Sequence, residues 1–146
     1  MASSRCLLLL LLGLLVFAAT AAAEVSLPNN YVLLEPYDDY NEEYIARIAN
    51  FGYQVYDYAQ NPLARGPFLP KLSNKRLIAV GIQFDFGWVR LVRQYCVIIE
   101  GDVLTSQLRV MAVARIMFKL NLFSSSTFGD INKRSIKVDE IEYHRI

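Results

Sequence analysis

Residues 107–120 read QLRVMAVARIMFKL, and every second position in this stretch is apolar. A period of two is that of a β-strand whose successive side chains point to opposite faces. The other positions mix Arg109, Arg115 and Lys119 with apolar residues. We therefore predict a strand with one face against a hydrophobic layer. The apolar set is Leu108, Val110, Ala112, Ala114, Ile116, Phe118 and Leu120.

Three further strands are predicted around this one, at Arg76–Phe84, Val89–Glu100 and about Ser135–Tyr143. In the last of them the apolar positions change parity between Val138 and Ile141, which indicates a β-bulge. Short links between consecutive strands favour an antiparallel meander. Residues 32–34 add a candidate short edge strand.

One long helix is predicted before these strands. Asp39 precedes Glu42 by three positions, which is the spacing of a capping box, and Asn61-Pro62 ends the helix. Apolar residues recur between these points with a period near 3.6. Gly52 lies on the apolar stripe, where a small residue allows close approach to a sheet. The fold class predicted is α+β, with this helix packed on a four- to five-stranded antiparallel sheet.

The helix and the first long strand are joined by a proline-rich loop at about residues 61–74. Two interpretations of Pro67-Phe68-Leu69-Pro70 are open. The segment docks on another protein, or Phe68 packs on its own domain.

The first 23 residues have the pattern of a secretory signal peptide. Arg5 is followed by an apolar run and then by Ala21-Ala22-Ala23. We expect cleavage to leave a single domain, residues 24–146, that is secreted or lies in the lumen of the secretory pathway. No later segment has the ~18 consecutive apolar residues of a spanning helix, so we expect no membrane association after signal removal.

The composition favours a binding protein over an enzyme. The full chain has a formal net charge of +1, and removal of Arg5 makes it neutral, which does not favour nucleic-acid binding. His144 is the only histidine and lies near the C-terminus. Neither metal-ligand spacing nor a phosphate-binding loop occurs, so we expect no enzyme activity, no metal and no cofactor. Cys96, the cysteine left after cleavage, is interpreted as a buried thiol, with pairing between chains as the alternative.

Two segments resemble the cystatins, and in particular the plant type, which has no disulfides. Residues 45–50, IARIAN, are similar to the cystatin helix signature, and Tyr53 fits its aromatic position. Residues 109–119 resemble the strand that leads into the second inhibitory hairpin. The resemblance implies a cystatin-like fold. It also implies inhibition of papain-like cysteine proteases by an N-terminal segment and two hairpins that enter the active-site cleft.

The resemblance places the first inhibitory hairpin at Gln83-Phe84-Asp85-Phe86-Gly87. Gln83 and Gly87 match the ends of the family pattern Gln-Val-Val-Ala-Gly, whereas the three residues between them differ. An unpaired Asp85 in a dry cleft would cost several kcal/mol. Phe84 and Phe86 are either contact residues or core residues of a strand.

The second inhibitory hairpin and the N-terminal segment of the family are also altered in this chain. Leu120 and Asn121 occupy the second hairpin position, where the family has Pro-Trp, and the only tryptophan is Trp88. No glycine occurs between Glu24 and Phe51, although the family's N-terminal segment carries one. Two hypotheses follow. The chain is a secreted cystatin-like inhibitor of papain-like cysteine proteases, or it is a cystatin-fold interaction or structural module without inhibition.

Overall fold

The computed structural model describes residues 25–36, 39–61, 68–87, 90–104, 109–121 and 126–146. The predicted signal peptide and most of the proline-rich loop lie outside these ranges. In the part of the chain that is described, no helix combines the length and apolar character needed to span a bilayer.

The predicted helix is confirmed as α1, Asp39–Ala59. Its start agrees with the predicted cap to within one residue, the usual uncertainty of a helix boundary. Ile48, Val55 and Tyr56 on its apolar stripe are completely buried. A Cβ placed on Gly52 would lie 2.8 Å from Cγ1 of Val97 in the sheet. The helix therefore lies close to the sheet at Gly52, as predicted.

Five strands form one antiparallel sheet in the order β1–β2–β3–β4–β5. The structure is thus α+β, with one helix packed on a five-stranded antiparallel sheet. The strands are β1, Val32–Leu33; β2, Leu72–Gly87; β3, Arg90–Val103; β4, Val110–Leu120; and β5, Asn132–Arg145. A 3₁₀ turn, Phe128–Asp130, precedes β5.

Three strands, β2, β3 and β5, are longer than the sequence indicated, whereas β4 begins at Val110 and not at the predicted Gln107. β2 begins at Leu72, inside the predicted loop, and extends to Gly87. Leu72 is only 5% exposed and pairs with Val103, so cross-strand pairing and burial continue the strand where alternation of residue types had not marked it. The predicted edge strand is confirmed as the two residues of β1.

The core lies between α1 and one face of the sheet. The alternation in β4 is confirmed, because its even-numbered residues from Ala112 to Leu120 are all buried in this core. Neighbouring β3 contributes Tyr95, Val97 and Ile99, each with no exposed surface. Burial of this apolar area is the main stabilising term of the fold.

The predicted bulge in the last strand is confirmed. Arg115 pairs with Glu140, but the next β4 residue, Ile116, pairs with Val138. Asp139 is therefore the additional residue of β5, and its position explains the change of parity seen in the sequence.

Phe68 is 96% exposed, whereas the adjacent Leu69 is 7% exposed and belongs to the core. The interpretation that Phe68 packs on its own domain is therefore wrong. Docking of this segment on another protein stays a prediction.

Candidate functional site: the β2–β3 hairpin

The five residues Gln83–Gly87 form the last part of β2. They pair in register with β3, from Gln83 opposite Gln94 to Gly87 opposite Arg90. Two residues of sequence, Trp88 and Val89, join the strands and lie outside the described residues. The five residues thus form one side of a hairpin, and Gly87 is the last paired residue of β2.

In the described part of the chain, this hairpin extends beyond the end of β4. Pairing between β3 and β4 ends at Arg93 opposite Leu120. Beyond that position β2 and β3 continue with three more pairs, formed by residues 85–87 with residues 90–92. At ~3.4 Å per residue these pairs add about 10 Å of two-stranded ribbon. We call these six residues the hairpin arm.

The base of the hairpin arm is tied to α1 by a group of three polar side chains, Tyr44, Arg93 and Tyr95, which we call the base cluster. The hydroxyl oxygens of Tyr44 and Tyr95 are 2.9 Å apart, and Arg93 Nη1 donates to Tyr44 Oη at 3.3 Å. The Tyr95 ring is buried and lies 5.7 Å from that of Phe118. This arrangement links the N-terminal part of α1 to the position where β4 ends.

Burial and hydrogen bonding set the protonation of the base cluster. Burial raises the pKa of Tyr95, and its hydrogen bond with Tyr44 raises it further. Burial alone would lower the pKa of Arg93, but hydrogen bonds to Tyr95 and Tyr44 outweigh it and raise that pKa. Tyr95 is therefore neutral and Arg93 is charged at neutral pH.

The two second-hairpin candidates differ in accessibility. Leu120 is a core residue, 2% exposed, so its side chain is not available to a partner in this conformation. Asn121 is exposed, and its carbonyl accepts a hydrogen bond from Ser126 Oγ at 3.1 Å.

The described end of the β4–β5 link folds back onto α1. Thr127 and Asp130 form a capping box around the 3₁₀ turn, and the Phe128 ring lies 5.7 Å from the ring of Tyr58. Lys133 donates to the Phe128 and Ile131 carbonyls, and its ammonium lies 3.8 Å from the Phe128 ring centroid. Burial lowers the pKa of Lys133. This end of the link is therefore anchored to the domain.

The N-terminal segment covers the sheet face opposite α1. Val25 packs with Ile98 and Val113, and Tyr31 Oη donates to Sδ of Met117 at 3.4 Å. A Cβ on Gly81 would lie 2.9 Å from Leu27. We call residues 25–31 the strap, because they cross from β4 to β1 over the middle of the sheet.

Arg115 fastens the strap to the bulge in β5. Its guanidinium donates to both carboxylate oxygens of Asp139, at 2.9 and 3.2 Å, and to the carbonyl of Ser26 at 2.9 Å. Glu140 is a further ion-pair partner at 2.8 Å. The pKa of Arg115 is raised by its hydrogen bonds to Asp139, although burial opposes the rise. Alternation predicted only that Arg115 faces away from the helix. Its partners come from distant parts of the chain.

Cys96 and His144 do not meet. Cys96 pairs with Met117 and His144 with Met111, which are six positions apart on β4, so about 20 Å separates them along the strand. Cys96 is fully buried as predicted, and burial raises the pKa of its thiol to about 12. Among the described residues, no group of three or more His, Cys, Asp or Glu side chains is arranged to hold a metal ion.

Comparison with known proteins gives no relative. No family model matches the chain, and neither a curated protein nor a solved structure matches it. The function is therefore inferred from the hairpin geometry and from the sequence resemblance.

Proposed function

We propose that this chain is a secreted, cystatin-like inhibitor of papain-like cysteine proteases that inserts the β2–β3 hairpin into the active-site cleft. The observation that carries the proposal is the hairpin arm itself. It bears Asp85, Phe86 and Gly87 of the predicted segment and extends about 10 Å past the end of β4. A paired ribbon loses little conformational entropy on binding, which suits insertion into a cleft.

The arrangement of elements supports the cystatin-like part of the proposal. One helix precedes a four-strand meander, and a short strand before the helix pairs with the outer edge of the meander. That is the layout implied by the resemblance of residues 45–50 and 109–119 to the cystatin helix and strand.

The positions of the N-terminal segment and of the second-hairpin residues support a second candidate function. The strap lies on the face opposite α1, and Leu120 is buried. The end of the β4–β5 link is anchored on Tyr58. With the hairpin arm as the one projecting element among the described residues, the chain would be a cystatin-fold interaction module that binds a partner through the hairpin without blocking a protease.

Titration of residues 24–146 against papain, with hydrolysis of a chromogenic peptide as the readout, tests the proposal. We expect inhibition, and we expect Phe86→Ala to weaken it about tenfold or more if Phe86 is an aromatic anchor. Phe68→Ala is the matched control, because Phe68 is exposed just before the opposite end of β2. The control should inhibit as the wild type does.

The outcomes separate the two candidates. No inhibition by the wild type at high micromolar concentration contradicts the inhibitor. Binding to carboxymethylated papain without inhibition of the active enzyme would favour the interaction module. Equal losses in Phe86→Ala and Phe68→Ala would show that the hairpin is not the contact.

A further inference from the structure

Among the described residues, no third strand pairs with the hairpin arm. Beyond Arg93 the described residues of β4 offer no partner, so residues 85–87 and 90–92 pair only with each other. An isolated two-stranded ribbon is at best marginally stable in water. An arm that must enter a cleft in one direction therefore needs support at its base.

The base cluster lies at that point. Arg93 is paired on one side with Phe84 and on the other with Leu120, so it occupies the last position with three strands. Its guanidinium reaches across to Tyr44 of α1, and Tyr44 in turn contacts the hydroxyl of buried Tyr95. Two hydrogen bonds thus connect Tyr44 of the helix to Arg93 and Tyr95, which lie on β3 next to the base of the arm.

We propose that Tyr44 and Arg93 are positioning residues that set the direction of the hairpin arm relative to the domain. They act through the arm and need not touch the protease. The role of this positioning in inhibition rests on the proposed function, whereas the effect on the arm does not. A binding element held in one geometry by its supporting residues loses less entropy in the complex.

A matched control exists on the same helix. Tyr56 Oη donates to the carbonyl of Pro70 at 2.8 Å, near the start of β2 and far from the arm. Tyr44→Phe removes the hydroxyl of a half-buried residue and Tyr56→Phe that of a buried one, and both keep the ring. Their costs in stability should be similar, about 1 kcal/mol each for the lost hydrogen bond, whereas their effects on the arm should differ.

The test uses Trp88, the only tryptophan, which joins the two strands of the arm. Time-resolved fluorescence anisotropy of the free protein should show more local motion of Trp88 in Tyr44→Phe and in Arg93→Gln than in the wild type. Tyr56→Phe should match the wild type. In the papain assay, Tyr44→Phe should raise the inhibition constant about fivefold, the equivalent of one net hydrogen bond.

Unchanged Trp88 motion in both Tyr44→Phe and Arg93→Gln would overturn the proposal, as would equal changes in Tyr44→Phe and Tyr56→Phe. If the wild type does not inhibit papain, the proposed function fails, but the anisotropy of the free protein still decides the positioning role.

Discussion

Replacement of Gly52 by alanine tests how closely α1 is seated on the sheet. In an open helix the change would stabilise the protein by about 1 kcal/mol, because glycine has the higher conformational entropy in the unfolded chain. Here the new methyl would lie 2.8 Å from Cγ1 and 3.2 Å from Cγ2 of Val97. Val97 has no exposed surface, so it has no free volume to move into.

The magnitude follows from these two effects. Carbon atoms separated by 2.8 Å are well inside their optimal distance of about 3.5–4.0 Å, so α1 or β3 must shift. Overpacking of this kind costs about 1–3 kcal/mol, which exceeds the gain in helix propensity. We expect Gly52→Ala to be destabilised by a net ~1 kcal/mol, or about 4 °C in Tm for a domain of this size.

The assay is urea unfolding followed by circular dichroism, with Gly129→Ala as the matched control. A Cβ on Gly129 has its nearest neighbour at 3.4 Å, in ordinary contact, and neither glycine has a positive φ. The control should be as stable as the wild type or more stable by up to about 1 kcal/mol, because alanine lowers the entropy of the unfolded chain. If Gly52→Ala is more stable than the wild type, the helix is not seated as closely as described, and the packing argument is refuted.

Four further outcomes are expected. Arg115→Met leaves the half-buried Asp139 carboxylate with the weaker partner Lys137, and the free energy of unfolding should fall by about 1–2 kcal/mol. A loss below ~0.5 kcal/mol would contradict the role of Arg115 in fastening the strap. Because burial raises the pKa of Cys96 from 9.0 to about 12, stability from the neutral thiol is complete below pH 9.0 and declines as pH rises toward 12. Cys96→Ala should reduce the slope of unfolding free energy against pH in that window by up to ~1.4 kcal/mol per unit, and an unchanged slope would argue against burial of the thiol. Leu27→Ala should loosen the strap, so Cys96 should react faster with a disulfide reagent than it does in the wild type. Equal reaction rates in the variant and the wild type would mean that the strap does not cover the thiol. Asp85→Val should strengthen inhibition of papain, and weaker inhibition would mean that Asp85 meets a basic group on the target.

Local patterns predicted the elements of this fold well. Alternation over residues 107–120 and the capping spacing of Asp39 and Glu42 identified β4 and α1. The parity change around Val138 located the bulge at Asp139. Each of these signals lies within a short stretch of chain, where backbone geometry and burial impose a fixed period.

The features that sequence analysis missed depend on contacts between distant residues. The strap is held by packing on Val113 and Ile98 and by Arg115, and nothing in its own sequence marks the face that it covers. Lys133 anchors the 3₁₀ turn through Phe128, and no local sequence pattern marks that contact. Resemblance placed Leu120 in a binding hairpin, whereas the alternation of β4 put it in the core, and the structure agrees with the alternation.

The central claim is that a papain-like protease contacts the hairpin arm, and hydrogen exchange of the chain with and without papain tests it most directly. We expect added protection at amides of residues 84–92, with the amides of residues 68–73 and 101–104 at the opposite end of the sheet unchanged. Protection at that opposite end, or no change anywhere at saturating papain, would contradict the claim.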